Sequence, residues 1–121
     1  MRLFKNTWFT RFANKEGITD DELRETVNRL EAGQADADLG GGVYKIRAAR
    51  YGEGKSGGYR VIVFFKSQKR TFFVYGFAKS DKKNLDKGEL RGFKIDAKTD
   101  LSLTDGQIND RLRKGTLIEI F

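Results

Sequence analysis

Apolar residues at Phe4, Trp8, Phe9, Phe12 and Ala13 fall at i, i+4, i+5, i+8 and i+9, the spacing of one helical face. This predicts a helix over 4–13, ended by Gly17, which can adopt the left-handed conformation of a helix terminus. Thr19-Asp-Asp-Glu22 has the form of a capping box, and Leu23, Val27 and Leu30 then line one face of a second helix stopping near Gly33. Residues 34–42 read as a loop.

From Val43 the period changes to two. Val43, Lys45 and Arg47 fall on one side, and Tyr44, Ile46 and Ala48 on the other, as in a strand with one wet face. Residues 51–58 form a glycine-rich turn. Tyr59 to Phe65 is apolar at nearly every position, as in a central strand. A tight turn at 67–69 leads to another strand, Arg70 to Phe77, completing a hairpin. A short turn is expected over 81–84. Asp86 then caps a weak helix carrying Leu90, Phe93, Ile95 and Ala97. Thr104 caps a final helix with Ile108 and Leu112 inward, closed by Gly115, and residues 116–121 read as a last strand.

This order predicts an α+β fold: two N-terminal helices packed on a small antiparallel sheet, then C-terminal helices and an extra strand. The helices are expected on one face, leaving Lys45, Arg47, Arg60 and Lys79 on the other. No repeat, proline or low-complexity linker divides the chain, so residues 1–121 read as one domain.

The composition supports one modest core, with 38% hydrophobic residues and its bulk in ten Phe, four Tyr and one Trp. No apolar run approaches the ~20 residues of a membrane span. The first residues lack the apolar region of a secretory signal, so a cytoplasmic protein without membrane contact is expected. There are no cysteines and no histidines. Disulfides, thiolate chemistry, cysteine- or histidine-ligated metals, serine–histidine triads and histidine acid–base pairs therefore drop out.

Charge sharpens the picture. Between Val43 and Lys79 nine Lys/Arg face a single acid, Glu53, while the whole chain is only +7. Lys45 and Arg47 share a strand face. Arg60 on the next strand and Lys79 beyond the third can converge on them. A solvated strand face would suit two isolated cations, but such clustering costs Coulomb energy unless an anion offsets it, which favours a polyanion site. Gly54-Lys55-Ser56 is not a nucleotide-binding loop: position 49 is alanine, and the segment leads into a strand instead of a helix. It reads as a flexible turn, or as one whose amides and Lys55 touch a phosphate. Most aromatics among these cations are core residues, but one or two, with Tyr59 and Tyr75 as candidates, could stack on bases.

Gly40-Gly-Gly-Val-Tyr-Lys-Ile-Arg47, Gly54-Lys-Ser-Gly-Gly-Tyr-Arg60 and Phe73-Val-Tyr-Gly-Phe-Ala-Lys-Ser-Asp81 together resemble the RelE/HigB type of toxin from bacterial type II toxin–antitoxin pairs. The resemblance implies a ribosome-dependent mRNA endonuclease. Basic residues at the positions of Lys45, Arg47 and Arg60 would surround the scissile phosphate, while the ribose 2′-OH attacks it. No metal or other cofactor is implied. The implied partners are mRNA on the ribosome and a cognate antitoxin, a helix-turn-helix type being one option.

The chain departs from that pattern. Ser80 stands after Lys79 where the best-known RelE toxins have arginine, and residues 82–86 lack the tyrosine proposed as their base. Lys45, Lys79 or a lysine at Lys82 or Lys83 then become candidates, because crowding by cations can lower a lysine pKa. Lys82 and Lys83 are also candidate substrate contacts. The same fold hosts ParE-type gyrase inhibitors, which cleave nothing, so a non-catalytic toxin or a basic nucleic-acid-binding module is the alternative.

Overall fold

The computed structural model describes residues 1–50, 54–82 and 84–121, with the backbone alone for 49–50 and 54–57. The elements run β1 (Arg2–Asn6), α1 (Thr7–Glu16), α2 (Asp20–Glu31), β2 (Ala37–Gly40), β3 (Val43–Arg50), β4 (Gly54–Lys66), β5 (Arg70–Ala78), α3 (Lys87–Asp100), α4 (Asp105–Lys114) and β6 (Leu117–Ile120). The strands form one six-stranded sheet in the order β2-β3-β4-β5-β1-β6. The α+β class is as expected, and the C-terminal strand is present. The sheet is mixed, not antiparallel throughout, because β1 lies parallel to β5.

The helix expected from Phe4 begins only at Thr7. Residues 2–6 form a strand instead, with Leu3 directed into one core and Phe4 into the other. A local period of 3.6 is overridden here because β1 inserts between β5 and β6, completing the backbone ladder on both sides. Asn6 ends the strand and caps α1, its side chain accepting the Phe9 amide at 2.7 Å.

The expected loop over 34–42 likewise contains β2, which pairs with β3 through a turn of three glycines in the left-handed region. The turn expected over 51–58 is strand from residue 54 onward; residues 51–53 lie outside the described residues.

Helices cover both faces of the sheet, not one. α1 and α2 pack on one face, against Ile46, Tyr59, Val61 and Val63. α3 and α4 pack on the other, against Val43, Ile62, Phe64 and Phe72. The continuous apolar run of β4 reflects this burial on both sides. A bulge between Ile62 and Val63 leaves Val74 unpaired and brings Tyr75 beside Ile62. Among the described residues, no helix is long and apolar enough to cross a membrane.

Candidate nucleic-acid interface

The α3/α4 face of the sheet carries the cations. Arg47 of β3 is directly opposite Arg60 of β4, which is opposite Phe77 of β5. The neighbouring row on this face is Lys45–Ile62–Tyr75, since residues two apart share a face. β3–β4 pairing thus brings together Lys45, Arg47 and Arg60, and the bulge on β5 adds Tyr75.

The three cations differ in access. The Arg47 side chain is 45% exposed, whereas that of Arg60 is 10% exposed. Two guanidinium groups at directly paired positions repel, and Asp36 offsets this. Its Oδ2 accepts the Arg47 Nε–H at 3.2 Å and lies 3.3 Å from Arg60 Nε. The Asp36 amide in turn donates to the Lys45 carbonyl at 2.8 Å, which fixes the carboxylate beside the strand. Arg29 of α2 donates to the Arg47 carbonyl at 2.7 Å. Arg60 Nη1 is buried with no hydrogen-bond partner among the described residues.

Lys45 Nζ reaches Asn84 Oδ1 at 3.4 Å, so the segment leading into α3 passes close to the cations. Tyr75 lies between Trp8, at 4.5 Å between ring centroids, and Phe93 of α3, at 5.5 Å. Lys82 Nζ sits 5.8 Å from the Tyr75 ring centre and pairs with Glu89. That hydrogen bond raises the Lys82 pKa above the ordinary lysine value, against the opposing effect of desolvation. The Glu89 carboxylate thus favours the charged form of Lys82.

Tyr59 requires a correction. Strand alternation points it away from Arg60, into the α1/α2 core, where it is 1% exposed. Its hydroxyl donates to Glu16 Oε2 at 2.8 Å and its ring meets the edge of Phe12. It cannot stack on a base. Lys79 is exposed in the turn after β5, one residue beyond Ala78, which pairs with Tyr59. Lys83 and the Lys55 side chain lie outside the described residues.

Asp36 and Asn84 were missed in the sequence. Each sits in an irregular segment whose local pattern carries no sign of the strand it reaches.

Chemically, the arrangement offers one accessible guanidinium, a second, buried one whose Nη1 has no partner among the described residues, and a lysine two residues along. This is an anion site suited to a phosphate, for which arginine supplies several donors in fixed geometry. Over residues 1–120 the chain matches the family model described as the RelE toxin of the RelE/RelB toxin–antitoxin system. Because that match covers nearly the whole chain, including α3, α4 and β6, the chain belongs to the RelE toxin family and is a toxin of a toxin–antitoxin system.

Proposed function

We propose that this toxin is a metal-independent endoribonuclease that cleaves mRNA on the ribosome. The observation that carries this reading is the pairing of Arg47 with Arg60 across β3 and β4, with Lys45 on the same face. In the proposed reaction the ribose 2′-oxygen attacks the adjacent phosphorus and the bond from phosphorus to the 5′-oxygen breaks. The products are a 2′,3′-cyclic phosphate and a free 5′-hydroxyl. The 2′-OH proton passes to a base and the 5′-oxygen gains a proton.

The phosphorane-like transition state carries more charge on its non-bridging oxygens than the ground state, so donors aimed there favour the reaction. Arg47 meets this charge from the accessible side, and the positive charge of the buried Arg60 beside it reinforces this. Lys45, Lys79 and Lys83 are favoured for proton transfer over Lys82, whose charged form the Glu89 carboxylate favours. Tyr75, partly buried between Trp8 and Phe93, would meet a base with its exposed edge. The antitoxin neutralises the protein by covering this face, and a helix-turn-helix antitoxin is compatible with it.

The test is induction of the chain in a bacterial host with mapping of mRNA 5′ ends, beside an Arg47→Ala control. New cuts within translated regions, absent from the control, are expected. Growth arrest with intact mRNA would overturn the reading in favour of a gyrase-type toxin.

A further inference from the structure

Four cations of α3 play no part in the site above. Lys87, Arg91, Lys94 and Lys98 are spaced by four, three and four residues and are all exposed. At 3.6 residues per turn they fall within about 60° of one another and run roughly 16 Å along the axis. The acids of the helix lie elsewhere: Glu89 and Asp100 point toward Lys82 and Arg111, and Asp96 projects on the same side as these two. Among the described residues, none of the four cations has a carboxylate partner within ion-pair distance.

Such segregation is unfavourable for a merely solvated helix, where alternating charges would serve better. The surroundings are also shaped. Shallow clefts of about 500 and 510 Å³ flank the row. The second is shared by Lys94, Lys98, Lys66 and the backbone of Gly41 and Gly42. Lys94 Nζ would lie 3.4 Å from a Cβ at Gly40, so the glycine turn leaves room for this side chain and for close approach of another backbone. Asn84, three residues before Lys87, touches Lys45 of the first site.

We propose that this face of α3 is a second RNA-contact surface, which binds the phosphate backbone of a strand lying outside the Arg47–Arg60 site. The proposal rests on the reading of this toxin as one that acts on RNA. A row of cations spaced for phosphates reads charge and not sequence, so it would orient the toxin on a large RNA while the β3–β4 site engages the scissile bond. An acidic peptide would meet the same charges. Continuity with the basic strand face favours RNA.

The test replaces Lys87, Arg91, Lys94 and Lys98 by glutamine, which keeps helix propensity, in an Arg47→Ala background that permits expression. Affinity for a single-stranded RNA of mixed sequence is measured by fluorescence anisotropy across a salt series. Circular dichroism confirms the fold. Loss of four phosphate contacts lowers the slope of log K against log salt by about three, at roughly 0.7 per contact. An unchanged slope and affinity would overturn the proposal, even if mRNA cleavage had been established. Unchanged RNA binding with lost binding of the antitoxin would also overturn it, assigning the row to a protein partner. A reduced slope in a toxin that leaves mRNA intact would uphold the surface while removing the nuclease reading.

Discussion

The Asp36 carboxylate holds Arg60 at 3.3 Å with the same oxygen that accepts Arg47 at 3.2 Å. One acid thus sets the spacing of two cations that would otherwise repel across a strand pair. A bound phosphate would compete with that carboxylate for the same donors.

Asp36→Ala should therefore destabilise the free protein, because it leaves a buried guanidinium without a carboxylate, at about 1–3 kcal/mol. Inorganic phosphate should restore more stability to this variant than it adds to the wild type, by occupying the vacated place. Urea denaturation with and without phosphate measures both effects. Equal responses to phosphate would show that no anion site lies between the arginines.

Arg47 is half exposed, and its removal spares the core. Arg47→Ala should keep the urea midpoint close to the wild-type value while cutting mRNA cleavage about 10²–10³-fold, as expected for one lost transition-state donor. A variant that cleaves normally would move the reaction away from this strand pair.

Tyr59→Phe removes the hydroxyl that donates to Glu16, on the α1/α2 side of the sheet opposite Arg47 and Arg60. A loss of about 1 kcal/mol in stability with unchanged cleavage is expected. Reduced cleavage at undiminished stability would return Tyr59 to the substrate site.

Lys82 has its pKa raised by the hydrogen bond to Glu89, so the pair's contribution to stability is complete below the ordinary lysine value of 10.5. It is lost only as pH rises through the still higher folded-state value. The stability difference between wild type and Lys82→Met should accordingly stay level from neutrality to the ordinary lysine range and shrink above it. Lys82→Arg should cleave mRNA with the wild-type pH profile. Loss of a titrating limb in that variant would show that Lys82 transfers a proton after all.

Gly76 gives α1 its seat on β5. A Cβ there would stand 2.5 Å from Phe12 Cε2, too close for the ring to remain. Gly76→Ala should cost about 1–3 kcal/mol through overpacking, read from the urea midpoint. A neutral effect would mean that Phe12 can swing aside without loss of packing.

Local chemistry was legible in the chain because its causes lie within a few residues. Gly17 and Gly115 adopt the left-handed conformation, and Thr19, Asp86 and Thr104 each open a helix with a reciprocal capping box. The β3–β4 pairing follows from strand alternation, and it places Lys45, Arg47 and Arg60 on one face. Long-range pairing decided the rest. Phe4 belongs to a strand because β5 and β6, distant in sequence, supply its ladder. Tyr59 and Arg60 are adjacent and equally embedded in a basic segment, yet the pleat sends one into the α1/α2 core and the other toward Asp36. Asp36 meets the arginines only because β2 lies along β3. No local pattern encodes which distant backbone a strand will meet, since that pairing is selected by burial summed over the whole sheet.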